Sequence, residues 1–197
     1  MKKILTTTKL ILYTILCIPH LLVYFMHKNG RIVRIDAKRW LELYGIPYRG
    51  TIGFIYLLSH YKEFRNLFYH RVGPIHNLLN ILCPKMSSLF IVTPIIGEGL
   101  FIQHGFATVI AAKSVGKNCW INQQVTIGFT SNTDCPEIGD NVTISAGAKV
   151  LGGITIGENS IVGANAVVVK SVPENCVVIG IPAYIIKRNG LKVKEPL

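Results

Sequence analysis

From Ile96 onward the chain is organised by a period of six. β-Branched aliphatics lead successive hexads at Ile96, Ile102, Val109, Val115, Ile121, Ile127, Ile138, Ile144, Val150, Ile156, Val162 and Val168. The phase is unbroken from 138 to 168, and two longer steps interrupt it earlier, Ile102 to Val109 and Ile127 to Ile138. Gly follows the leading residue at 97, 116, 128, 139, 157 and 163. The fifth position is small or β-branched at Cys119, Val125, Ser131, Val142, Ala148, Ser160, Ala166 and Val172. A helix of 3.6 residues per turn drifts out of phase with this pattern within two repeats, and a two-sided strand would alternate every second residue. A three-sided prism satisfies it. Each hexad supplies one short strand and one corner, three hexads close a coil, and each leading aliphatic stacks on its equivalent in coils about 4.8 Å apart. Small residues suit the corners, where bulk would clash.

The region before this repeat reads differently. Residues 1–90 carry 13 Lys/Arg against three acids, while residues 91–197 carry eight against seven, so nearly all of the net charge of +11 belongs to the first part. Such a balance fits an anionic lipid surface or an anionic acceptor, and no nucleic-acid-binding motif accompanies it. The apolar run Leu10–Met26 is at the short edge of a membrane span and contains Pro19 and His20. A cleaved signal peptide is disfavoured because no small-residue cleavage site follows. A transmembrane anchor, a helix lying in the membrane interface and a plain buried helix all remain open. Residues 36–90 read as helices: Asp36 as a cap, Gly45 as a stop, a further helix over about 51–70, and Pro74 and Pro84 as punctuation. The aromatics Trp40, Tyr44, Phe54, Tyr56, Tyr61, Phe64, Phe68 and Tyr69 are expected to be packing faces, and His60, His70 and His76 surface or core residues rather than ligands. The five cysteines (17, 83, 119, 135 and 176) include no CxxC pair, which suggests neither a disulfide framework nor a zinc ribbon and fits a reducing compartment. With half its residues hydrophobic and 16% charged, the chain is not disordered, coiled-coil or collagenous.

Residues 91–197 contain a single histidine, His104. A three-histidine metal site is therefore excluded there, and no metal is expected. No glycine-rich phosphate loop points to nucleotidyl transfer. Acyl transfer needs less: one imidazole titrating near neutral pH can take the proton of a hydroxyl as it attacks a thioester, and backbone N–H groups can meet the developing oxyanion.

The stretches IGEGLFIQHG, INQQVTIG, IGDNVTISAGAKVLGGITIGENSIVGANAVVVKSVP and GIPAYII, spanning roughly 91–188, resemble the hexapeptide-repeat acyltransferases. Within that family they are most similar to serine acetyltransferases and the O-acetyltransferases of capsule and surface-polysaccharide clusters. The resemblance implies a mainly β fold, a left-handed parallel β-helix preceded by an α-helical N-terminal region. It also implies a homotrimer with acetyl-CoA as co-substrate in a groove between prisms. His104 matches the family's general base. Ala146, Ala164, Val169, Lys170 and Lys187 match positions along coenzyme A, with the lysines suited to its phosphates. Gln103, Gly128 and Cys135 are expected around the acceptor. The insertion GFTSNTDCPE would project as a loop. Serine acetyltransferases carry a second His before a Pro in this loop, where this chain has Cys135-Pro136, and an Asp directly before the first His, where this chain has Gln103. Their upstream acid has no match around Ile91–Pro94. Cys135 reads as a pocket-lining replacement rather than an acyl carrier, since no neighbouring residue would activate it.

The expected division is thus a helical, membrane-proximal region 1–90, a β-helix acyltransferase domain 91–188 and a basic tail 189–197. The expected activity is acetyl transfer from acetyl-CoA to a hydroxyl of a sugar or surface-glycan precursor, at the cytoplasmic face of the membrane. Serine O-acetylation in cysteine biosynthesis and a non-catalytic β-helix scaffold are the alternatives.

Overall fold

The computed structural model describes residues 14–131 and 134–197, and contacts divide the chain into two units at Ser87/Ser88. The first unit is helical: α1 (Ile18–Met26), α2 (Gly30–Leu43), α3 (Gly50–His60), α4 (Lys62–Val72), a 3₁₀ turn (Gly73–Ile75) and α5 (His76–Leu82). Its core is aromatic, as the sequence suggested. Trp40 packs edge-on to Phe64 at 5.3 Å and Phe54 to Phe68 at 5.2 Å. Residues 14–16 are also helical, the helix breaks at Cys17, and Pro19 falls in the first turn of α1, where no backbone donor is required, so the apolar run is interrupted as its proline suggests. The apolar run's residues 10–13 lie outside the described residues. Among the described residues, no helix is long and apolar enough to cross a membrane.

Two expectations for this unit are corrected. Asp36 is not a cap: α2 begins six residues earlier, and Asp36 is buried within it, paired with Arg71 Nε at 2.9 Å. The expected helix over 51–70 is two helices, broken at Tyr61, whose extended backbone (φ −119°, ψ 101°) ends α3 and opens α4. Part of the basic excess is internal rather than presented to a partner. Besides Arg71, the buried Arg65 donates from Nη1 to the Pro84 carbonyl at 2.7 Å. His60 Nδ1 lies 3.0 Å from the Tyr56 carbonyl and His76 Nδ1 2.7 Å from that of Gly73. His20 is fully buried; burial, reinforced by the Arg65 cation, pushes its imidazole down to about 4, so the ring is uncharged at neutral pH.

The second unit is a parallel β-helix. Its first face stacks β1 (Leu89–Ile91), β4 (Thr108–Ile110), β7 (Thr126–Gly128), β10 (Lys149–Leu151) and β13 (Val167–Val168). The second face stacks β2 (Ile95–Ile96), β5 (Ser114–Val115), β8 (Glu137–Ile138) and β11 (Thr155–Ile156). The third stacks β3 (Phe101–Ile102), β6 (Trp120–Ile121), β9 (Thr143–Ile144), β12 (Ile161–Val162) and β14 (Cys176–Ile179). The leading aliphatics stack by register, for example Ile121 on Ile144 on Val162, all buried. One assignment shifts: Ile110, not Val109, is the buried residue in register with Ile127. The fifth-position residues line the core near the corners, apart from Ser131, which is exposed.

Corner chemistry explains the glycines at 97, 116, 139, 157 and 163, though not Gly128, where a Cβ would meet nothing nearer than 4.0 Å. A Cβ on Gly116 would sit 2.5 Å from the Gly139 carbonyl carbon and 2.6 Å from Asp140 N, so bare backbone is required where coils stack. One turn position in the corners between the second and third faces is held by Asn118, Asn141, Asn159 and Asn175 with φ between 54° and 57°, a region asparagine tolerates. Their amides form a ladder, with Asn141 donating to Asn159 at 3.1 Å and Asn159 to Asn175 at 3.2 Å.

The last coil does not run out into a basic tail. β14 pairs antiparallel with β15 (Tyr184–Arg188), and β15 with β16 (Leu191–Pro196), so residues 189–197 extend the third face. Asn189-Gly190, both with positive φ, form the turn. That dipeptide is a hairpin signal readable from the sequence.

Candidate active site

His104 lies on the corner between the third and first faces. Because Ile110 is the true leading residue, the step from Ile102 is longer than a hexad, and the surplus is spent at this corner. His104 has φ 64°, Gly105 45° and Ala107 51°, and the Phe106 N–H returns to the His104 carbonyl at 2.6 Å. This left-handed backbone throws the imidazole outward, where it is exposed. Gln103, just before it, is half-buried, and its amide oxygen accepts from Asn122 Nδ2 at 2.9 Å on the next coil.

The same corner continues up the prism through a chain of backbone hydrogen bonds. Gln124 N–H donates to Phe106 at 3.0 Å, Gly147 to Gln123 at 3.0 Å and Asn165 to Ala146 at 2.9 Å. His104, Ala146 and Ala164 therefore share one edge, and the two methyl side chains keep it open. The Gln123 amide oxygen is buried on this edge with no hydrogen-bond partner among the described residues. Sequence reasoning missed this residue, which carries no motif signal. Above Ala164 lies a hollow of about 480 Å³ lined by Val169, Lys170, Ile181, Pro182, Tyr184 and Leu197, so the structure joins Val169 and Lys170 to the closing turn. Lys170 Nζ donates to the Leu197 carbonyl at 2.7 Å. Lys187 is not part of this grouping: it lies beside Asn159, Asn175 and Asn189, at the asparagine corners.

The acceptor residues expected together are also divided. Gly128 closes β7, and the insertion after it projects from the corner between the first and second faces, across the whole first face from His104. Cys135 lines a hollow of about 670 Å³ there with Val92, Ala112, Phe129 and the ion-paired Lys113 and Glu137. The loop is held by Asp134, whose carboxylate accepts from the N–H groups of Thr130 at 2.9 Å and Ser131 at 2.7 Å and from the Thr130 hydroxyl. These hydrogen bonds hold its carboxyl down at about 2. Within one chain, then, Gln103 accompanies His104, while Gly128 and Cys135 occupy a different edge.

The bacterial transferase hexapeptide (six repeats) family matches residues 135–170. A serine acetyltransferase of Synechococcus elongatus is 47% identical over 106 residues, covering 52% of this chain and 43% of that relative. The structure of Neisseria gonorrhoeae serine acetyltransferase in complex with serine superposes with a TM-score of 0.60 at 30% identity, over 82% of this chain and 70% of that one. The chain belongs to the hexapeptide-repeat acyltransferase family. A Brucella abortus serine acetyltransferase in complex with coenzyme A superposes with a TM-score of 0.63 at 28% identity, over 86% and 72% of the two chains. This family member spans less than half the length of the curated relatives it matches.

Proposed function

We propose that this protein is an acetyl-CoA-dependent O-acetyltransferase in which His104 takes the proton of an acceptor hydroxyl as its oxygen attacks the thioester carbonyl. The observation that carries this reading is the placement of the β-helix's one imidazole on a left-handed, outward-turned corner, in line with Ala146 and Ala164. Acetyl-CoA supplies the acyl group. The open edge at the two alanines suits a thin pantetheine arm, and Lys170, at the hollow beyond, suits a phosphate once it releases the Leu197 carbonyl. Lys187, on another edge, is left out of this reading.

L-Serine is the acceptor the relatives favour, in place of the sugar or glycan precursor expected from sequence. A sugar hydroxyl stays as the second reading because Gln103 and Cys135 stand where serine acetyltransferases carry Asp and His. Parallel assays of coenzyme A release with L-serine and with a panel of free and lipid-linked sugars separate the two. Turnover on serine alone supports the first reading, turnover on a sugar alone replaces it, and none on either overturns the enzymatic proposal.

The site is completed, in this reading, by a homotrimer. His104 and the Asp134–Cys135 loop border opposite sides of the first face, with the exposed Phe106 on one border, the exposed Phe129 on the other, and the exposed Val169 and Ile181 together in the hollow past the end of β13. Packing prism against prism would cover them and bring one chain's loop toward another's imidazole. The exposed Ile18, Leu22, Phe25 and Met26 of α1 support contact with a membrane surface, read out by sedimentation with anionic vesicles.

A further inference from the structure

Cys17 immediately precedes α1, Cys83 immediately follows α5, and His20 lies in the first turn of α1. All three are completely buried, and the two cysteines are 66 residues apart in sequence. One donor atom from each, the two sulfurs and a ring nitrogen, lies within 4.8 Å of the others. No spacing motif announces this cluster.

The hydrogen bonds around His20 fix its chemistry. Tyr69 has one hydroxyl proton, and the Cys83 and Leu79 carbonyls stand at 2.7 and 3.3 Å to receive it. The Tyr69 oxygen therefore accepts, and the group 2.9 Å away that donates to it is His20 Nε2–H. That tautomer leaves a lone pair on Nδ1, and Nδ1 has no hydrogen-bond partner among the described residues. An acceptor nitrogen without a partner, on a completely buried ring, is costly unless something binds it. An oxygen held on one ring nitrogen while the other is left to bind an ion is the arrangement that metal-ligating histidines use.

The sulfur spacing agrees. Cys17 Sγ and Cys83 Sγ are 3.7 Å apart. Two thiolates about 2.3 Å from a tetrahedral zinc stand about 3.8 Å apart, whereas a disulfide would draw them to about 2.05 Å. We propose that Cys17, Cys83 and His20 form a structural binding site for a thiophilic d¹⁰ divalent ion, zinc(II), which fastens the start of α1 to the end of α5. Binding displaces two thiol protons and gives a dithiolate–zinc centre of zero net charge, the form such a buried site can hold. The three donors leave one tetrahedral position for a water or another small donor.

The test uses the full chain, reduced and stripped with a chelator, then titrated with cobalt(II) as a spectroscopic stand-in. The proposal predicts sulfur-to-cobalt charge-transfer absorption with tetrahedral ligand-field bands, saturating at one ion per chain and abolished by zinc. Tyr69→Phe, which removes only the second-sphere oxygen, is expected to weaken zinc binding about 10- to 100-fold. Cys17→Ser and Cys83→Ser are each expected to remove the charge-transfer band. Should those variants fail to fold, the unaltered chain still decides: zinc, and not magnesium, raises its melting temperature and slows alkylation of Cys17 and Cys83, located by mass spectrometry. Absence of the cobalt bands from a chain with five free thiols overturns the proposal, as does their persistence in both serine variants. Ready formation of a Cys17–Cys83 disulfide with no zinc uptake overturns it in favour of a redox pair.

Discussion

Ile144 and Ile161 are the same residue on adjacent strands of one sheet, turned to opposite sides of it. Ile144 is 0% exposed and stacks between Ile121 and Val162, while Ile161 is 39% exposed and pairs in register with Thr143. Ile144→Ala deletes three carbons, worth about 2.4 kcal/mol at about 0.8 kcal/mol per group. An unrelaxed cavity of about 70 Å³ adds about 1.7 kcal/mol at about 24 cal/mol per Å³. The total of about 4 kcal/mol falls within the range of about 2–5 kcal/mol measured for such truncations. Ile161→Ala empties no cavity, and its cost is expected to be about 1 kcal/mol, chiefly lost strand propensity. Native-state amide exchange at Trp120 and Thr143 reads the opening free energy of the coils without assuming that the helical unit unfolds with them. The prism account requires the first variant to lose roughly 3 kcal/mol more protection than the second. Equal losses, or the reverse order, would refute the in–out alternation on which the stacking argument rests.

Two further outcomes are expected. Asp36→Ala removes the carboxylate paired with the buried Arg71 guanidinium and should destabilise the helical unit by about 3–5 kcal/mol, followed by circular dichroism in denaturant. The Asp134 clamp is held by an ionised carboxylate with a depressed pKa, so its contribution is complete above about pH 4 and disappears as pH falls toward 2. Asp134→Asn should reproduce that loss at neutral pH, seen as faster exchange of the Thr130 and Ser131 amides.

The β-helix was legible because its physics is local and repetitive: a stacked aliphatic every sixth residue leaves a period that no other architecture produces. Its irregularities were less so. Val109 and Ile110 are both β-branched, and only the register with Ile127 shows which one points inward. Asn189-Gly190 carried a hairpin signal that the basic composition around it obscured. In the helical unit, Asp36 resembles a cap by type, but its role is set by Arg71, which lies 35 positions away. For the candidate site, the sequence carries residue types but not their layout. His104 stood out as the one imidazole of its half, whereas the separation of Gln103 from Cys135 follows from which corner each occupies. That placement depends on counting faces around the prism rather than residues along the chain. Cys17, His20 and Cys83 meet only through packing of α1 against α4 and the end of α5, which no sequence spacing encodes.

Removal of the acceptor's proton by the His104 imidazole beside a bound thioester is the step on which the proposed activity rests. Its most direct test is the turnover number of His104→Ala, measured as coenzyme A release at saturating acetyl-CoA and acceptor, alongside calorimetric binding of acetyl-CoA. A fall of about 10²- to 10⁴-fold in kcat with acetyl-CoA affinity unchanged is the predicted result. Turnover within a few-fold of the unaltered protein would contradict it.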